Sequence, residues 1–295
     1  MPIQSNKVRS HLALFFVALI YGANFSIAKF LMDPGLVGPN AFILFRVISA
    51  FVLFWIFTPP SKKIEKSDLK LLIICSICGV AGNQLLFFNG LHLSSPLNAA
   101  LIMVCTPILV LLIKMLSGSV LTTLQWIGCL LGFTGASYLI LHQLGSSKNI
   151  SSGLGDIMVL LNASLYAYYL IRVPELISKY GAFQTMRWTF GLAFIPVFIF
   201  GIGESMEVSF YSFSVYHWLA FAFVLIATSF IAYALNSYAL QHSEAELVSN
   251  YIYLQPLLAS IIAILLKKDV LEWQHFLSGS LIFTGLYLSS RKKIS

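Results

Sequence analysis

Apolar residues run through this chain in long blocks separated by short polar breaks. No Asp, Glu, Lys or Arg occurs between Lys70 and Lys114, between Lys114 and Lys148, or between Glu207 and Glu244. A spanning helix needs ~20 predominantly apolar residues at about 1.5 Å rise each, so the first gap holds two helices joined by a very short turn. Ten such segments are predicted, at 11–32, 41–58, 69–91, 95–117, 121–142, 154–172, 184–203, 215–240, 246–266 and 271–290. The breaks carry turn or charge signals: "DPGLVGPN" (33–40), "TPPSKKIEKSD" (58–68), "HQLGSSKNISSG" (142–153) and "KKDVLEW" (267–273). The first segment is longer than a signal-peptide core and lacks a small-x-small cleavage site, so it reads as a retained helix.

Composition supports the same picture. Only 10% of the 295 residues are charged and 58% are apolar, too little charge to coat a water-facing surface, so the lipid bilayer is the expected solvent. The net charge of +7 does not call for nucleic acid. With both termini cytoplasmic, most Lys and Arg fall on inner flanks, Lys267 and Lys268 being exceptions at a helix end, where long side chains snorkel. A bacterial inner membrane is the expected location. Cys75, Cys78, Cys105 and Cys129 all lie inside predicted helices, and Cys75-Ser-Ile-Cys78 has no second pair, so apolar packing is expected of them.

The pattern repeats. A shift of 149 residues lays "LHLSSPLNAALIMVCTP" over "LQHSEAELVSNYIYLQP", matching Pro107 to Pro256 and Ser94 to Ser243. "GCLLGFTGASYL" (128–139) resembles "GSLIFTGLYL" (279–288), and "YGANF" (21–25) loosely matches "YAYYL" (166–170). The halves are then 1–146 and 152–295, five segments each. An odd number of crossings starts the second copy on the opposite side, so an all-α membrane protein of ten transmembrane helices in two inverted five-helix repeats is expected. Secondary transporters recurrently use this plan, with sites near the midplane where interrupted helices meet.

On "LIYGANFSIAK" (19–29), "LFRVISA" (44–50), "NAALIMVCTPI" (98–108) and "GCLLGFTGASYL", with weaker echoes in the second half, the chain resembles the EamA-type family of the drug/metabolite transporter superfamily. Tyr21 stands where that family commonly has Trp, which keeps an aromatic. The resemblance covers nearly all of the chain. It implies a ten-helix carrier with cytoplasmic termini, a central cavity between the halves, peripheral fifth and tenth helices, and export of amino acids, related metabolites or toxic small molecules.

Polar residues inside the apolar blocks are the candidate site. Glu246, Asn250 and Tyr253 share a helical face, and Glu246 is read as the only acid within a helix of the second half. It reads first as the N3 member of a capping box begun by Ser243, and second as a candidate coupling carboxylate. Pro256 and Pro107 each break a helix, stranding the carbonyls of Ile252 and Met103. Freed carbonyls in lipid need a neighbour, water or ligand. Gln255, Asn98, Thr106, Tyr233 and Asn236 complete the expected substrate path, while Asn83 reads as glue between helices. Arg46, inside the second helix near its outer end, and Lys29, near the outer end of the first, can attract an anionic group, snorkel, or pair with Asp33 or a helix carbonyl.

Gly128-x-x-x-Gly132 permits close helix packing or dimerisation, which makes a homodimer a candidate assembly. No HExxH, GxSxG or Walker-type loop occurs, so neither catalysis nor a cofactor nor a metal is expected. The favoured function is export of a small organic solute by alternating access. The rivals are an intramembrane lipid-modifying enzyme, which requires clustered acid and base groups, and a passive channel, which wants rings of repeated polar residues.

Overall fold

The computed structural model describes residues 2–32, 35–58, 63–116, 118, 122–145, 150–243, 245–255, 258–259, 262 and 272–289. Every element among them is a helix. In chain order these are α1 (Pro2–Met32), α2 (Pro39–Phe57), α3 (Lys66–Leu93), α4 (Pro96–Leu116), α5 (Thr123–Gly145), α6 (Ile150–Tyr180), α7 (Ala182–Glu207), α8 (Val215–His242), α9 (Ala245–Asn250) and α10 (Trp273–Ser289). Among the described residues seven helices are long and apolar enough to cross a membrane, those of α1 to α4 and of α6 to α8. Their outer faces fit that solvent: Phe15 and Phe16 on α1 and Phe198, Ile199 and Phe200 on α7 are exposed, a surface that water would penalise and lipid does not.

Local chemistry starts the helices where the polar breaks predict. Ser95 Oγ accepts the Asn98 backbone N–H at 3.1 Å, with Pro96 in the first turn of α4. Thr122 and Gln125 form a reciprocal box before α5: Gln125 Oε1 accepts the Thr122 N–H at 2.8 Å, and Thr122 Oγ1 accepts the Gln125 N–H at 3.3 Å. Ser214 and His217 do the same for α8. The turn into α7 is made at Gly181, whose φ of 84° is open to glycine at little cost.

Two helices carry a π-helical stretch, Ile77–Ala81 in α3 and Phe223–Ile231 in α8. The 149-residue shift lays 77–81 onto 226–230, inside the second stretch. Both broken helices tighten just before their prolines. In α4 the Val104 and Cys105 N–H groups bond three residues back, to Leu101 and Ile102, and in the other half Tyr251–Tyr253 is a 3-10 turn. Pro256 itself lies outside the described residues.

Helices pack in exchanged pairs: α1 on α8, α3 on α6, α2 on α7 and α5 on α10. Swapping α1–α5 for α6–α10 returns the same set of pairs. The contact of α5 with α10 is made by glycines. A Cβ on Gly285 would stand 2.5 Å from both the Gly128 carbonyl oxygen and the Gly132 nitrogen, and one on Gly135 would stand 2.8 Å from the Ser278 carbonyl oxygen. The Gly128 and Gly132 face is therefore taken up by close packing within the chain.

Candidate central cavity

A cavity opens in the middle of the bundle, a concave place of the kind that small molecules occupy. Both halves line it: Tyr21, Asn24 and Phe25 from α1, Arg46 from α2, Gln84 and Phe88 from α3, Asn162 and Tyr166 from α6, Tyr233 from α8, and Gln255 beyond α9. Aromatic and polar side chains share the wall. Tyr21 meets Tyr233 edge-on with centroids 6.4 Å apart, and Phe25 meets Phe87 at 5.4 Å.

A chain of hydrogen bonds orients the one cation among the described residues of the wall. Arg46 Nε donates to Gln84 Oε1 at 3.0 Å, Gln84 Nε2 donates to the Tyr233 hydroxyl at 3.4 Å, and that hydroxyl donates to the Gly79 carbonyl at 3.3 Å. Gln84 and Tyr233 are 149 residues apart, so the two halves touch at equivalent positions of the repeat. Arg46 Nη1 also donates to Thr228 Oγ1. Gly79 and Thr228 sit in the two π-helical stretches, where the shifted backbone register places a carbonyl and a hydroxyl beside the cavity. Arg46 is 2% exposed, lies 4.7 Å from the Phe88 ring centroid, and pairs with no described carboxylate.

Two wall amides hold unused acceptors. Asn162 Nδ2 donates to the Asn83 carbonyl at 2.8 Å, which fixes the amide's orientation and leaves its Oδ1 without a partner. Asn24 Oδ1 is likewise buried and unpartnered. Such groups are rare inside proteins and mark a place for a ligand or water.

Toward the end of the bundle remote from the amino terminus lies a second polar cluster. Asp156 on α6 is wholly buried, with Ser94 Oγ donating to Oδ1 and Asn98 Nδ2 donating to Oδ2 at 3.2 Å. His275 at the start of α10 accepts the Glu272 N–H on Nδ1 at 3.0 Å. That leaves its Nε2 as the donor to Asn98 Oδ1, at 3.0 Å. Lys29 on α1 donates to the carbonyls of Leu91, at 3.1 Å, and of Ser94. Five helices meet there.

These placements sort the expected site residues. Tyr233 and Gln255 line the cavity, and Asn236 stands behind it, donating to the Tyr166 hydroxyl at 2.8 Å. Asn98 belongs to the remote cluster. Thr106 is wholly buried, and its hydroxyl donates to the Met103 carbonyl at 2.7 Å, the very group that Pro107 strands. Thr106→Val should therefore cost about 1–3 kcal/mol, the penalty of an orphaned buried acceptor. Its melting temperature in detergent should fall by several degrees with ligand affinity unchanged; a changed affinity at wild-type stability would return Thr106 to the site. The side chains of Glu246, Asn250 and Tyr253, like Pro256, lie outside the described residues.

Two readings change. Asp156, inside the predicted 154–172 segment, is a buried helix acid of the second half, so Glu246 is not the only one. Arg46, Gln84, Asn24 and Asn162 were not placed on the path. Arg46 sits about 10 Å along α2 from its start at Pro39, deeper than the helix end expected of it. The 149-residue offset of Gln84 from Tyr233 was the one available signal for Gln84.

Among the described residues no cluster of His, Cys, Asp and Glu is placed to hold a metal. The EamA-like transporter family matches residues 8–141 and again residues 153–291. The uncharacterized transporter YyaM of Bacillus subtilis is 24% identical over 286 residues, spanning 95% of this chain and 93% of that protein. An uncharacterized transporter of Archaeoglobus fulgidus is 24% identical over 296 residues, spanning 97% and 98%. A crystal structure 16% identical in sequence superposes with a TM-score of 0.64 over 97% of this chain and 98% of its own, a likeness of fold.

Proposed function

This chain is a multi-pass member of the EamA-like transporter family, within the drug/metabolite transporter superfamily, and from that premise we propose that it is a secondary carrier exporting a small organic solute by alternating access. The observation that carries the reading is the central cavity, walled by both family repeats and holding unpaired hydrogen-bonding groups. A solute bound there exchanges sides when one half rocks against the other, as in carriers built from paired repeats. The exchanged helix pairs favour ten spans in two inverted halves, 1–146 and 152–295, with both termini on the cytoplasmic side of a bacterial inner membrane.

Tyr233 and Gln255 belong to the proposed path directly, and Asn236 through Tyr166. Asn250, Tyr253 and Glu246 extend the path toward the amino-terminal end of the bundle. The Asp156 cluster closes the remote end: it joins α1, the end of α3 and the starts of α4, α6 and α10.

Proteoliposomes preloaded with unlabelled solute should show counterflow of the labelled solute, saturating with concentration and absent from protein-free vesicles. A panel of amino acids, nucleobases, vitamins and organic acids supplies the solutes. Protein-dependent flux that never saturates would make the chain a channel, and no flux of any solute would overturn the carrier.

A further inference from the structure

Resting on the carrier reading, we propose that the cavity binds an organic monocarboxylate with an aromatic or bulky apolar body and one neutral hydrogen-bond donor, its carboxylate seated on Arg46. A guanidinium has five N–H donors. Gln84 and Thr228 take one each, which leaves three without an acceptor among the described residues. A carboxylate accepts two of those in a fork, a geometry that Gln84, held in turn by Tyr233, prepares.

Charge selects the class. A buried cation lacking a counter-ion costs several kcal/mol, and the Phe42 and Phe88 rings near Arg46 offset part of that. One negative charge from a ligand offsets more. No described acid lines the cavity, so the ammonium of an amino acid would be buried there with neutral oxygens at best and no opposite charge of the protein. Arg46 is the one cation on the described wall, so the second charge of a phosphate dianion would meet none.

The rest of the wall selects the body. Phe25, Phe87, Phe88 and Tyr166 give the wall aromatic surface for an apolar group. The free oxygens of Asn24 and Asn162 accept a hydroxyl or another neutral donor, and a ligand without one leaves them desolvated and unpaired.

The test titrates the full chain in detergent, by calorimetry, with 3-(4-hydroxyphenyl)propanoate, its neutral amide and tyrosine, which share one ring and hydroxyl. The acid should bind at least tenfold more tightly than the other two. Arg46→Gln should bring acid and amide to equal affinity, and Arg46→Lys should keep a preference for the acid smaller than wild type. Equal or weaker binding of the acid in the wild-type protein overturns the proposal whether or not the variants fold, as does a preference that survives Arg46→Gln. Binding of none of the three overturns it too. Counterflow of the same tracers separates the premise: acid bound but never carried sinks the carrier alone, whereas carriage of amide or tyrosine with the acid excluded sinks the anion site alone.

Discussion

Asp156→Ala is expected to destabilise the protein by about 2–5 kcal/mol, because two buried donors lose a shared carboxylate acceptor. The carboxylate is wholly buried, and both of its oxygens are in use. Without it the Ser94 hydroxyl and the Asn98 amide lose their acceptor, at about 1–3 kcal/mol for each unsatisfied donor. Asn98 also accepts from His275, so the loss reaches the start of α10, and the Lys29 charge loses a nearby opposite charge.

In detergent the melting temperature should drop by about 10 °C, taking roughly 2–4 °C per kcal/mol for a large domain. Asp156→Asn keeps one acceptor oxygen but sets an NH2 group against a neighbouring donor, so its loss should be less than half as large. Equal melting of Asp156→Ala and wild type would show that the cluster does not hold the remote end together.

Gly155→Leu should prevent recovery of folded protein. A Cβ at Gly155 would stand 2.5 Å from the Gly90 carbonyl oxygen and 2.9 Å from both the Leu93 Cβ and the Ser94 nitrogen. A Cβ at Gly90 would meet the Gly155 carbonyl oxygen at 2.7 Å, so α3 and α6 touch backbone to backbone. Backbone cannot rotate aside as a side-chain end can. Even Gly155→Ala should lose about 1–3 kcal/mol, the usual cost of overpacking. Size-exclusion traces from detergent extracts should show Gly155→Leu as aggregate and Gly155→Ala as monodisperse but less thermostable. A wild-type trace and melting curve for Gly155→Leu would mean that the two helices are not this close. Because Gly155 adjoins Asp156 and presses on Ser94, Gly155→Ala and Asp156→Ala should not add independently.

Much of the architecture was legible from local pattern. Apolar blocks long enough for a bilayer, broken by Gly, Pro and Lys, predicted helices, and among the described residues helix lies in those stretches, from α1 (Pro2–Met32) over 11–32 to α10 (Trp273–Ser289) over most of 271–290. The family motifs and the repeat led to a family that matches both halves. Pro107 marked a real break in α4, and Tyr233, expected on the substrate path, lines the cavity.

The site was less legible, because its members are joined across the chain. Arg46 and Thr228 are 182 residues apart, Asn98 and His275 177, and Asn98 and Asp156 58. Helical spacing tells which residues share a face, not which face looks at which. Thr106 shows the limit: a hydroxyl beside a proline break suits a ligand as well as a carbonyl, and its bond to Met103 decided for the carbonyl.

The sequence by itself determined the solvent, the helices, the duplication and the family, since hydropathy and turn chemistry act within about 20 neighbouring residues. Only tertiary packing decided that Arg46 faces a cavity with N–H groups to spare, that Asp156 is spoken for by Ser94 and Asn98, and that Gly128 and Gly132 meet α10. Those are pairings between distant helices, set by the rotation and depth at which each helix locks against its neighbours, and no local pattern along the chain records either.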